Sequence, residues 1–326
     1  HGRRQRPQLF ALLFAARTGA ATAAEADGRT WKSLFRRPSP HCEVEVIDVQ
    51  AEVSTRFLRC GSSLLGAKYL DPLYDGQSAF TVFAVLRGAV EFMVEPVPAP
   101  SRVLVLGLGA GDVPTALRAL HRRMTVDVVE INTPVVRAAA KFFGYDAKDG
   151  PRGRTLVRDA VAYVQDHQPE HSYDVILHDL YAGSSPSVSV EVLRRIRDVW
   201  LRADGRGVLL LNIVGAQRRA AEGSEAGGSH EEPYRLTLAV ARSLSRTFGS
   251  VRAFADAPPG NLTPGEVGNV IFVACGGSGH DGSLAVRWHV PATGYYADPP
   301  VDSHDWIVKN FASWELPELG SDRLRA

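Results

Sequence analysis

The sequence is short of paired cysteines, of net charge and of long apolar runs, and each shortage closes off a class of protein. Its 3 cysteines, Cys42, Cys60 and Cys275, are odd in number, far apart and without any short paired spacing. That argues against a disulfide framework and against a zinc site, and makes a reducing compartment the expectation. With 37 Lys and Arg against 36 Asp and Glu, the formal net charge is +1, so composition gives no electrostatic case for a nucleic-acid partner. The apolar stretch Leu9 to Ala16 is too short to cross a bilayer and Arg17 interrupts it, so no transmembrane segment is expected. No internal repeat is visible.

Acidic residues are also missing at the start: none precedes Glu25, while Arg3, Arg4, Arg6 and Arg17 lie among many alanines. That bias, with no initiator Met, is that of an organelle import segment or its processed remnant; mitochondrial import is the expectation, with a plain basic tail on a cytoplasmic protein as its alternative. What the chain does have is 326 residues at 45% hydrophobic and 22% charged content, enough for one large α/β domain and a smaller module.

Between Glu43 and Leu58 apolar and polar residues partly alternate and β-branched residues are frequent, which predicts short antiparallel strands. Gln77 to Glu95 carries Phe80, Phe83, Ala84, Leu86, Val90, Phe92 and Met93 at helical spacing, and the Pro96 to Pro100 run closes that helix. A regular alternation follows. Strands are expected at 103–106, 126–131, 155–157, 175–178 and 207–213, with helices from Asp112, from an N-cap at Thr133, over 160–167 and over 190–201. This order builds a doubly wound, mostly parallel α/β sheet of Rossmann-like type, with helices on both faces. Residues 217–232, rich in Gly, Ser, Ala and Glu, read as a mobile insertion before a helix over 234–246. Two last strands, 251–255 and 269–275, are joined without a helix and should pair antiparallel at one edge. The expected organisation is a basic extension over 1–40, a small β-hairpin module over 41–75, a nucleotide-binding domain over 76–290 and a C-terminal extension over 291–326.

The chemistry gathers at strand ends. Gly107, Gly109 and Gly111 lie in a strand-to-helix turn, where the backbone can approach a ligand; Asp112 stands where a dinucleotide fingerprint needs its third glycine, which weakens an NAD reading. Glu130 ends the second strand about twenty residues on, where a carboxylate can accept both ribose hydroxyls. Asp159, after the third strand, can accept from an adenine amino group or cap the next helix. Asp179 ends the fourth strand and should face the cleft as general base or substrate anchor, while His178 beside it must point the other way and is read as structural.

The runs Val103–Asp112, Val128–Ile131, Arg158–Ala160 and Tyr173–Asp179 resemble the spermidine synthase superfamily with its methyltransferase-like members, and Tyr74–Gln77 looks like that family's Asp-Gly-x-x-Gln segment with altered spacing. The resemblance covers about residues 43–275. It implies a seven-stranded sheet behind an N-terminal β-hairpin module, and S-adenosylmethionine or its decarboxylated form held by Gly107, Gly109, Gly111, Asp112, Glu130 and Asp159, without a metal. It also implies Asp179 as the first aspartate of the catalytic loop, with Gln77 and Tyr181 contacting substrate. Two departures count against polyamine synthesis. Where the family has an acidic pair and a Tyr-His-Glu segment, this chain has Ser78–Ala84 with no ionisable side chain, and the second catalytic aspartate falls on Ala182. Gly265–Phe272 is similar to the closing hairpin of elongation-factor methyltransferases, which keeps a protein substrate open.

The leading expectation is therefore an S-adenosylmethionine-binding, methyltransferase-like protein. A second is a catalytically silent subunit of a larger organellar complex, its partner held by the terminal extensions and by Trp306, Phe311 and Trp314. For that tail the alternative is packing on its own domain. A true aminopropyltransferase ranks third.

Overall fold

A computed structural model describes residues 30–51, 53–74, 78–93, 101–180, 188–218, 231–262, 265, 267–276, 311–320 and 324. The chain divides into two compact units, His1–Ala79 and Phe80–Ala326. Among the described residues no helix is long and apolar enough to cross a membrane.

In the first unit, β1 (Thr30–Pro38), β2 (Glu43–Gln50), β3 (Thr55–Cys60) and β4 (Ser63–Tyr69) form an antiparallel sheet in sequence order. Two corrections to the sequence reading arise here. The extension assigned to residues 1–40 contains a strand, because Thr30–Pro38 pairs with β2 along its whole length, and the expected hairpin is a four-stranded sheet. Cys42 and Cys60 form a disulfide. Their 18-residue separation hid the pair, but β2–β3 pairing sets Val44 opposite Cys60 and brings the two Cα atoms to 5.4 Å, within the reach of a disulfide. Val44, Val46, Phe57, Leu58 and Ala67 are buried, while Arg56 makes a paired contact with both oxygens of Asp48.

The second unit is an α/β sandwich around a seven-stranded sheet. Its strands are β5 (Arg102–Leu106), β6 (Thr125–Glu130), β7 (Thr155–Val157), β8 (Val175–His178), β9 (Val208–Ala216), β10 (Ser250–Ala255) and β11 (Val267–Cys275), in the order β10-β11-β9-β8-β5-β6-β7. The five strands from β7 to β9 are parallel, and β11 and β10 are antiparallel additions, with β10 at the edge. The central strands β5 and β8 bury apolar residues on both faces, as a sheet covered on both sides requires. One core layer joins Val103, Val105, Leu177, Leu210, Ile271 and Phe254 to α1 (Thr81–Met93), α2 (Asp112–Leu120) and α3 (Thr133–Phe142). The opposite layer joins Leu104, Leu106, Ile176, Leu209, Leu211 and Phe272 to α4 (Ala160–Asp166), α5 (Val190–Arg195) and α6 (Glu231–Thr247).

Local details differ from expectation where tertiary packing decides. The helix expected over 190–201 is α-helical only to Arg195 and widens into a π turn over Ile196–Trp200, which seats Trp200 fully buried with its indole N–H donating to the Val164 carbonyl. The N-cap of α3 is Asn132 rather than Thr133. In the tail, Trp314 is buried in the α1-side core and Leu316 and Leu319 in the opposite one, so this part of the extension packs on its own domain. Arg252 clamps it through a two-point contact with Glu315. Trp306 lies outside the described residues, as does most of the insertion expected over 217–232.

Candidate functional site

The order of strands reverses between β5 and β8: from β5 the chain moves outward through β6 and β7, then returns to β8 and β9 on the other side. In open α/β sheets ligands bind outside the carboxyl ends of the strands at such a point. Gly107 sits in this crevice with φ +94, and a Cβ there would lie 2.2 Å from the Asp179 carbonyl oxygen. The position is thus closed to every other residue both by conformation and by space. Gly111, at φ +83, is the N-cap of α2, and a Cβ on it would meet the Tyr145 ring at 2.9 Å. Gly109 also has positive φ, and Asp112 opens α2.

Glu130 ends β6 beside this loop, and its carboxylate is tied down at both oxygens. Oε2 accepts from the Leu108 N–H at 3.0 Å and Oε1 from the Asn132 N–H at 2.8 Å. Two main-chain donors thus fix the orientation of the carboxylate. Asp159 is exposed and caps α4, its Oδ1 accepting from the Ala162 N–H at 2.9 Å; the capping alternative is the one seen, and the other oxygen makes no hydrogen bond among the described residues. Ile131, directly after β6, and Val157, opposite Glu130 at the end of β7, are unusually exposed for large apolar residues. Sequence reasoning missed both, since an apolar residue at a strand end looks like core.

The other side of the crevice is built from side chains. On the α1-side face of the sheet, Gly107, Asp179 and Asn212 follow the apolar Val105, Leu177 and Leu210 of β5, β8 and β9, and opposite Asn212 stands Ile271 of β11, with Asn269 one step further out and Asp256 just past Phe254 at the end of β10. Asn212 donates from Nδ2 to Asp179 Oδ1 at 2.9 Å and to Asn269 Oδ1 at 3.2 Å. Asn269 Nδ2 donates to Asp256 Oδ2 at 2.8 Å, and Gln217 Nε2 donates to Asp256 Oδ1 at 2.8 Å and to the Asn269 carbonyl at 2.7 Å. A Cβ on Gly268 would fall 2.8 Å from Gln217 Nε2, so that glycine makes room for the last member of the chain. Burial pushes the Asp179 carboxyl above the usual carboxylate range, and the Asn212 donor pulls it partly back. His178 is buried on the opposite face, as strand alternation requires.

Asp179 and Glu130 therefore frame one crevice from opposite sides of the glycine loop. Gln77 and Tyr181 lie outside the described residues. Asn212, Asn269, Asp256 and Gln217 were not anticipated; the available signal was an Asn interrupting each of two apolar strands, Leu209–Val214 and Val267–Cys275. Among the described residues no three His, Cys, Asp or Glu side chains are grouped to hold a metal ion.

Residues 89–205 match the family model of the spermine/spermidine synthase domain. Among curated proteins, the chain is 27% identical over 258 residues to an N-terminal histidine N-methyltransferase of Emericella nidulans, covering 73% of this chain and 41% of that protein. It is 36% identical over 87 residues to a polyamine aminopropyltransferase of Vibrio vulnificus, covering 26% of this chain and 28% of that one. The chain thus spans less than half the length of these curated relatives. Of solved structures, a probable spermidine synthase from Corynebacterium glutamicum superposes with a TM-score of 0.55 at 18% identity, covering 74% of this chain and 79% of that one. The fold is that of a divergent spermidine-synthase-like domain with the Rossmann-like architecture of S-adenosylmethionine methyltransferases.

Proposed function

We propose that the chain is an S-adenosylmethionine-dependent methyltransferase and not a polyamine-forming enzyme. The observation that carries this reading is the Glu130 carboxylate, aimed by the Leu108 and Asn132 N–H groups at the mouth of a glycine loop. A carboxylate held in this way suits the two hydroxyls of a ribose, and the turn at Gly107 and Gly109 lets backbone approach the rest of the nucleoside. Asp159 would accept from the adenine amino group with its uncommitted oxygen, between Ile131 and Val157. When bound, the sulfonium supplies an electrophilic methyl group. The chain then has to orient an acceptor and exclude water, tasks that need few acid–base groups. Asp179 supplies the anchor for that acceptor, and its raised pKa moves it toward the range in which it can also take a proton.

Polyamine synthesis is disfavoured by the missing charges. Ser78–Ala84 carries no ionisable side chain, and Ala182 stands where a second catalytic aspartate would be, so a polycationic substrate has little to pair with. The relative that aligns over the larger share of this chain is named for methylation of a protein N-terminus. Titration calorimetry of the purified chain with S-adenosylmethionine, S-adenosylhomocysteine and decarboxylated S-adenosylmethionine tests the reading. Binding of the first two that disappears in Glu130→Ala supports it. No heat and no thermal shift at high ligand concentration overturns it, and a clear preference for the decarboxylated ligand returns the aminopropyltransferase.

A further inference from the structure

The C-terminal half of α6 carries charge that the described residues leave unmatched. From Pro233 to Thr247 the helix has no acidic residue, and Arg242 and Arg246 stand one turn apart, both exposed, where like charges repel. Neither guanidinium makes a hydrogen bond or an ion pair among the described residues. Nor do they serve the helix end: the Thr247 carbonyl accepts from Arg197, whose own charge is matched by Asp198. Ser245, beside them, departs from the other hydroxyls of the same helix. Thr237, Ser243 and Thr247 each donate to the carbonyl four residues back, whereas Ser245 Oγ is buried without a hydrogen-bond partner among the described residues. A buried hydroxyl left unpaired is costly and calls for a partner. Arg242, Ser245, Arg246 and Leu324 together line a cavity of about 160 Å³. Because α6 leads from the end of β9 to the start of β10, and β10 runs parallel to β9, this cavity lies toward the edge of the sheet opposite the glycine loop, on the layer away from Asp179.

We propose that Arg242, Ser245 and Arg246 form a second ligand site, and that it takes a phosphate dianion, free or as a small phosphomonoester. Each guanidinium is a planar fork that can donate to two oxygens, and the Ser245 hydroxyl can turn its hydrogen toward a third. A carboxylate has two oxygens and is satisfied by one arginine, so a pair of arginines with a hydroxyl suits an anion with more acceptors and two charges. Set between the arginines, a dianion replaces their repulsion with two ion pairs and gives Ser245 its missing partner. Leu324 closes one side with an apolar wall, against which the ester group of a small monoester can rest. Polymeric phosphodiesters are held by basic tracks that contact many phosphates, and two arginines do not make one. The site is independent of the methyltransferase reading, since none of its residues belongs to the crevice.

The probes are inorganic phosphate, methyl phosphate and dimethyl phosphate, titrated into the full chain at constant ionic strength while the Nε–H signals of 15N-arginine-labelled protein are followed. Arg242→Lys and Arg246→Lys assign the two signals. Inorganic phosphate, methyl phosphate or both are expected to shift both signals with a saturable curve, and dimethyl phosphate, with one charge and two blocked oxygens, is not. Arg242→Gln and Arg246→Gln should each weaken that binding about tenfold and Ser245→Ala about threefold. A response to methyl phosphate at least as tight as to inorganic phosphate supports an organic monoester as the ligand, and a response to inorganic phosphate alone supports the free anion. No shift of either signal with phosphate or methyl phosphate, an equal response to dimethyl phosphate, or phosphate binding undiminished in both glutamine variants overturns the proposal. The parent titration decides even if a variant does not fold.

Discussion

The two sides of the crevice are made by different physics. On the Glu130 side the geometry comes from backbone: positive φ angles at Gly107, Gly109 and Gly111, and two main-chain N–H groups that fix one carboxylate. On the Asp179 side it comes from a relay of side chains across β8, β9, β11 and the end of β10, in which each member is held by the next. A backbone cradle tolerates few changes at its glycines and is indifferent to its other side chains. A side-chain relay can be altered one member at a time.

That contrast can be broken or sharpened by substitution. The largest effect is expected from Gly107→Ala, where a positive φ and a Cβ 2.2 Å from the Asp179 carbonyl oxygen coincide. It should cost about 3 kcal/mol in denaturant unfolding and disturb both sides together. Glu130→Ala leaves two buried N–H groups without their acceptor and should cost about 2 kcal/mol while abolishing nucleotide binding by calorimetry. Asp256→Asn strands one of the two amide donors that now share its carboxylate, for about 1 kcal/mol, and nucleotide affinity should stay unchanged. A loss of nucleotide binding there would show the two sides to be one unit.

The smallest effect has the opposite sign. Because burial raises the folded-state pKa of Asp179, its protonated form stabilises the fold below the ordinary carboxylate range, and that contribution is lost as pH rises through the folded value. Asp179→Asn should accordingly melt slightly higher than the parent at neutral pH, with the gap closing as the pH is lowered; a parent that melts higher at neutral pH would refute the desolvated carboxyl.

The Glu130 side was legible in sequence because its parts lie within one strand–turn–helix–strand unit, where spacing alone orders them. The alternation of strands and helices was legible for the same reason: apolar period and turn residues are local. Bounds shifted where packing overrode propensity, as at Ile196–Trp200, where the helix widens to bury Trp200. The Cys42–Cys60 bridge was missed because only β2–β3 pairing joins residues 18 apart. The relay was missed because Asp179 and Asn212 are 33 residues apart, Asn212 and Asn269 57 apart, and neither asparagine stands in a recognisable motif.

The sequence by itself determined the doubly wound sheet, the glycine turn and the carboxylates at the ends of its strands, since each depends on neighbours a few positions away. Only the tertiary structure decided what Asp179 faces. Its pKa and its partners depend on the insertion of β11 between β9 and β10, which aligns Asn212, Asn269 and Asp256 on one face of the sheet, and strand order is a long-range choice that no local pattern encodes.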